Sequence, residues 1–68
     1  MIPVSSSNIK AIGYDSDLAV LQMEFKDGGC YQYMNVPLAI FHALMAATSK
    51  GQYASTHIYK KYPTKRIT

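Results

Sequence analysis

The 68-residue sequence has one cysteine, two histidines and, after Asp27, no acidic residue at all. A single cysteine, Cys30, excludes an internal disulfide, and a free thiol fits a reducing compartment. Cys30 with His42 and His57 offers no metal-ligand spacing, so no metal and no other cofactor is expected. No stretch approaches the roughly 18–20 apolar residues of a membrane helix. The N-terminus has neither the basic flank nor the apolar run of a signal peptide. The expected location is therefore the cytoplasm, or the host cytoplasm for a viral protein. Charge is scarce as well. Only 16% of residues are charged, against the roughly 25–35% of a well-solvated small surface.

These shortages matter because the chain is short. Residues 1–68 make one domain, and a chain of this size buries only about 60% of the surface its unfolded form exposes. A single core of this size rarely supplies more than about 3–5 kcal/mol unaided. With no disulfide and no metal to add to that, association with copies of itself is the remaining source of stability, and a homo-oligomer is expected.

What the sequence does have is positive charge at one end. The net charge is +3, but Lys10 and Lys26 are outnumbered by Asp15, Asp17, Glu24 and Asp27 in the first half. Lys50, Lys60, Lys61, Lys65 and Arg66 stand unopposed in the second. A basic end suits an anionic partner such as phosphate; its plainer reading is a solvated tail.

The pattern along the chain predicts an α+β fold: a three-stranded antiparallel meander packed against one long helix, with a short second helix after it. Residues 1–7 read as an irregular arm. Residues 8–14 form a first strand, and Asp15-Ser16-Asp17 is a turn. Residues 18–25 form a second strand, in which Leu21, Met23 and Phe25 alternate with Val20, Gln22 and Glu24. Asp27-Gly28 supplies a hairpin, and residues 30–35 return as the third strand. The face taken by Tyr31 and Tyr33 depends on the loop. A two- or four-residue connection sets them beside Glu24 and Gln22, and a three-residue loop with a bulge sets them beside Met23 and Leu21. Pro37 suits a first helical position. The helix runs to about residue 49, with Leu38, Phe41, Leu44 and Met45 as its inward stripe and Gly51 as a left-handed terminator. It carries so little polar surface that a second partner is expected on its outer side. Residues 52–62 form the second helix, Pro63 stops it, and residues 64–68 fray.

Several of these pieces occur together in an order that resembles the KTSC domain. They are Val4-x-Ser6-Ser7-x-Ile9, Ile12-Gly13-Tyr14-Asp15, Leu21-x-Met23-x-Phe25 before a double glycine, Tyr31-x-Tyr33, Val36-Pro37, Ser49-x-Gly51-x-Tyr53 and Ile58. That family is a small module found at the C-terminus of some lysyl-tRNA synthetases and also as a stand-alone protein. The synthetase setting implies an RNA-binding role.

No nucleophile, base and orienting group fall together as catalysis requires, so the expectation is a binding protein and not an enzyme. The candidate ligand residues are each open to a structural reading. Tyr31, Tyr33 and Tyr14 either stack on bases or pack under the helix with their hydroxyls at its edge. Ser49, Lys50 and Gly51 either cap a helix or lead into a helix start that receives phosphate. Ser6 and Ser7 either donate to phosphate oxygens or form a lead-in to the first strand. His57, Lys60 and Lys61, extended by Arg66 and interleaved with Tyr53, either pair charge with a flat ring for nucleotide recognition or form a solvated helix face. Cys30 is expected to pack as a small hydrophobe. The reading is a non-catalytic binder of phosphate-bearing ligands. In its first form a homo-oligomer holds small nucleotides, cyclic signalling ones included, between subunits, as a phage protein sequestering a nucleotide signal would. In its second the domain binds RNA, and in its third it is a protein-interaction module.

Overall fold

A computed structural model describes residues 1–68. Five strands form one antiparallel sheet in sequence order: β1 (Ile2–Pro3), β2 (Ile9–Asp15), β3 (Val20–Phe25), β4 (Cys30–Tyr33) and β5 (Thr64–Arg66). Two helices, α1 (Leu38–Ala46) and α2 (Lys50–His57), lie between β4 and β5 in the chain. The fold class is α+β as expected, but the three-stranded meander is only the centre of the sheet.

Both edges are additions that the sequence did not announce. The arm is not wholly irregular, because Ile2 and Pro3 pair with Ile12 and Ala11. The C-terminal segment is not frayed throughout, because Thr64, Lys65 and Arg66 pair with Tyr33, Gln32 and Tyr31. Strands of two and three residues are too short to show a period. They form because the meander presents unpaired backbone donors and acceptors at its edges.

The register of β4 is settled by its hairpin. The Gly28 N–H donates to the Phe25 carbonyl at 3.0 Å, the Phe25 N–H donates to the Gly29 carbonyl at 2.8 Å, and Gly28 has φ +101. This is a three-residue loop whose last member needs a left-handed backbone. Tyr31 accordingly faces Met23 and Tyr33 faces Leu21, on the side of the sheet that the helices cover. There Ile9, Ile12, Leu21, Met23 and Tyr33 meet Val36, Leu44, Ala54 and Ile58 in one core. The opposite face, with Gly13, Gln22, Gln32 and Cys30, carries no helix.

The helical region departs from expectation in several ways. α1 ends at Ala46, with Ala47 already extended at φ −67 and ψ 139, so there is no single helix running to residue 49. Pro37 is the residue before the helix (φ −62, ψ 149), not its first residue. Leu38 is 47% exposed and does not belong to the inward stripe, which is Leu44 fully buried with Ile40, Phe41 and Met45 packed at its sides. The second helix occupies residues 50–57 and not 52–62.

Gly51 sits in the first turn of α2, so it terminates nothing. A Cβ there would lie 2.7 Å from Asn8 Oδ1, which makes close approach, not a left-handed backbone, the reason for glycine. Alanine in a helix ordinarily gains about 1 kcal/mol over glycine. Here overpacking, typically about 1–3 kcal/mol, opposes that gain. Gly51→Ala is expected to lower stability in the native background and to raise it in an Asn8→Ala background. A four-member cycle of urea unfolding curves checks this, and equal effects in both backgrounds would contradict it.

Candidate nucleotide-binding surface

The start of α2 is built by Ser49. Its hydroxyl accepts the Gln52 N–H at 3.3 Å, the capping arrangement that serine three residues before glutamine encodes. The Lys50 and Gly51 N–H groups precede the first helical acceptors and point outward from the helix start. Beside them, Ser6 organises the arm. Its Oγ donates to Asn8 Oδ1 at 3.2 Å and accepts the N–H groups of Asn8 and Ile9 at 3.4 and 3.3 Å. Asn8 then touches Gly51, which brings the arm against the first turn of α2.

One face of α2 and the α1–α2 turn enclose a shallow hollow of about 430 Å³, lined by Ala47, Thr48, Ser49, Gln52, Tyr53, Thr56 and His57. The Tyr53 and His57 rings lie one helical turn apart, with centroids 4.5 Å apart and planes inclined at 36°. The hollow therefore offers hydroxyls, an amide and a pair of rings. Of the residues singled out in the sequence, Ser49, Tyr53 and His57 line it and Lys50 reaches its edge at Ala47, whereas Gly51 and Ser6 lie outside its walls, beside Asn8. Lys50 Nζ presently donates back to the Ala47 carbonyl at 3.2 Å.

Other candidates lie elsewhere. Tyr14 is not free to stack on a base: its ring stacks on Phe41 at 4.9 Å and 9°, and its hydroxyl donates to the Val36 carbonyl at 2.6 Å. Tyr33 is 4% exposed and stacks on Tyr59 at 6.0 Å. Burial pushes its phenol well above the ordinary value of 10.0, with the neighbouring Tyr59 and Tyr31 phenols adding to the effect. Tyr31 is half-buried, under the Arg66 guanidinium at 5.5 Å. Lys60, at φ +64, and Lys61 are exposed in the turn after α2, and Ser7 is exposed in the arm. No three of the histidine, cysteine and acidic side chains gather as a metal set.

Thr48, Gln52 and Thr56 were absent from the sequence reading. Residues 52, 53, 56 and 57 share one face of any helix that contains them, and Ser49 joins that face because the helix starts at 50. The Ser49-x-x-Gln52 cap was the signal that fixes that start.

Comparison with known proteins agrees with the architecture. The KTSC domain profile matches residues 5–62. A KTSC domain protein of Yersinia pestis, known from its crystal structure, superposes with a TM-score of 0.94 at 41% identity, over 97% of this chain and 93% of that one. A protein of Tsukamurella paurometabola is 42% identical over 55 residues, 81% of this chain and 82% of its own length. A lysine–tRNA ligase of Trichormus variabilis is 35% identical over all 68 residues, which make up only 12% of that enzyme. No helix is long and apolar enough to cross a membrane.

Proposed function

The chain belongs to the KTSC domain family, and we propose that it is a non-catalytic binding module for phosphate-bearing ligands, with RNA as the partner. The observation that carries this reading is the α2 hollow, where the Tyr53–His57 ring pair stands beside a capped helix start. A flat ring supports an unpaired base, while outward N–H groups and the Lys50 ammonium at the edge favour phosphate. The synthetase relative supports the choice of RNA. A segment like this whole chain lies within an enzyme whose name specifies tRNA, yet it is a small fraction of that enzyme. It also occurs in proteins of about its own length, as expected of a portable module.

Binding of a short, labelled, single-stranded RNA, followed by fluorescence anisotropy, tests the proposal. If four of the five late cations each neutralise a phosphate, affinity falls about 50-fold between 50 and 200 mM salt, from a slope of roughly −0.7 per contact. Lys60→Ala with Lys61→Ala flattens that slope. Tyr53→Ala weakens binding about tenfold, within the roughly 1–3 kcal/mol of one base–ring stack. A salt-independent affinity, or none at 50 mM salt, overturns the reading.

A second reading has its own observation. α1 has no charged residue and leaves Leu38 47% exposed, an outward apolar surface suited to a second copy. In this version a homo-oligomer holds small nucleotides in pockets shared between subunits, and the bound nucleotide is recovered unchanged after heat denaturation. Sedimentation as a monomer at micromolar concentration removes it and leaves the RNA reading standing.

A further inference from the structure

The helix-free face of the sheet has a hollow of its own, of about 260 Å³, with Gly13 in its floor. Met1, Leu18 and Val20 give it apolar walls, and Asp15, Gln22 and Gln32 give it polar ones. Met1 and Leu18 are 56% and 68% exposed, so the walls are uncovered apolar surface. The Met1 side chain reaches in over the floor, because a Cβ on Gly13 would lie 3.3 Å from Met1 Cγ.

The polar groups are paired in a telling way. Gln32 Nε2 donates to Gln22 Oε1 at 3.1 Å. Gln22 Nε2 in turn donates to Cys30 Sγ at 3.2 Å and Met1 Sδ at 3.4 Å. Sulfur is a weak acceptor, so a ring nitrogen or carbonyl oxygen offered to Gln22 replaces poor partners with a good one. Asp15 Oδ1 is committed to its own turn, accepting the N–H groups of Asp17 and Leu18 at 2.9 and 3.2 Å. Its second oxygen remains an acceptor on the rim.

We propose that this hollow is a site for one unstacked nucleobase whose Watson–Crick edge carries an exocyclic amine next to an acceptor ring nitrogen, cytosine or adenine. The amine donates to the free Asp15 oxygen, the adjacent ring acceptor takes the Gln22 or Gln32 amide, and the ring faces lie against Met1, Leu18 and Val20. A thioether beside an aromatic ring is a favourable neighbour, and carboxylate-to-amine and amide-to-base pairings are those by which side chains read base edges. Uracil and thymine present a carbonyl where the amine is needed, which sets acceptor against acceptor at Asp15. An aliphatic side chain from a protein partner fills the walls but leaves the Gln22 amide on its weak sulfur acceptors and covers the second Asp15 oxygen without pairing it, at a cost. The same carboxylate keeps phosphate out of the hollow, so only the base enters and any attached phosphate stays outside.

The test uses uncharged nucleosides, so its outcome is independent of the salt-dependent RNA binding proposed for the α2 surface. Cytidine, adenosine and uridine are titrated into the isotope-labelled full chain and followed by NMR. Cytidine and adenosine are expected to shift the Gly13 backbone amide and the Gln22 and Gln32 side-chain amides, with uridine about tenfold weaker. Asp15→Asn keeps Oδ1, and with it the turn, but replaces the free acceptor by a donor. It should reverse the order in favour of uridine, a change that mere loosening of the turn does not produce. No shift at these amides, equal shifts from all three nucleosides, an order unchanged in Asp15→Asn, or shifts confined to Tyr53 and His57 would each overturn the assignment.

Discussion

Replacing Leu44 with alanine is expected to unfold most of the domain. Leu44 is the one fully buried residue of α1, and the helix has little else to hold it. Nine residues are too few for an isolated helix to persist in water. Pro37, at the N-cap, provides no side-chain hydrogen bond, and the last turn has no basic residue to complement the helix dipole. α1 therefore owes its existence to docking. A buried Leu→Ala change costs about 2–5 kcal/mol, comparable to the roughly 3–5 kcal/mol that a core of this size supplies. Near-UV circular dichroism at 25 °C and urea unfolding give the readout. Leu44→Ala should lose its tertiary signal or unfold at much lower urea, whereas Leu38→Ala, at the same helix's exposed start, should change stability by less than about 0.5 kcal/mol. Similar midpoints for the two variants would show that α1 is held in some other way.

The same dependence on tertiary contact explains what the sequence could convey. β3 was legible because Leu21, Met23 and Phe25 alternate with wetter neighbours, and alternation is a property of the strand alone. The β3–β4 hairpin was legible as a hairpin, but the face of Tyr31 and Tyr33 was not. It turns on whether Gly28 or Gly29 takes the positive φ, and two adjacent glycines do not distinguish themselves. β1 and β5 were invisible because each is recruited by an edge that exists only after the meander has formed. The break between α1 and α2 was hidden by composition, since the apolar run continues through Ala46 and Ala47 while the backbone has already become extended.

The candidate surface divides along similar lines. Ser49, Tyr53 and His57 do converge, and their grouping follows from helical spacing once the start of α2 is known. Tyr14 stayed between two readings because an aromatic at a strand end reads alike whether it meets solvent or a helix. Only the position of Phe41 decides that it is packed. The open-face hollow had no sequence signature, because Gly13, Gln22 and Gln32 come from three strands and meet only through their register.

Above about pH 10 the domain should lose stability steeply, and Tyr59→Phe should lessen that loss while making the protein more stable at neutral pH. The Tyr59 hydroxyl is buried and has no hydrogen-bond partner, with its ring against Tyr33 and Phe25. An unpaired buried hydroxyl costs roughly 1–3 kcal/mol, and phenylalanine keeps the ring contacts without it. Burial raises the phenols of both Tyr59 and Tyr33 above the ordinary 10.0. In the unfolded chain both ionise near that ordinary value. The folded chain keeps its protons to higher pH, so between the two the unfolded state binds fewer protons and stability falls as pH rises. The contribution of neutral Tyr33 and Tyr59 is fully present below pH 10 and is lost towards their raised values, at up to about 1.4 kcal/mol per pH unit for each. Urea midpoints measured across this range, with tyrosinate absorbance followed in parallel, provide the check. Tyr59→Phe should gain about 1 kcal/mol at neutral pH and show a shallower alkaline decline, and Tyr33→Phe with Tyr59→Phe should show the shallowest. A Tyr59→Phe variant weaker than the native chain at neutral pH would mean that the hydroxyl has a partner after all. Parallel alkaline declines in the native chain and the double variant would mean that other groups drive the loss.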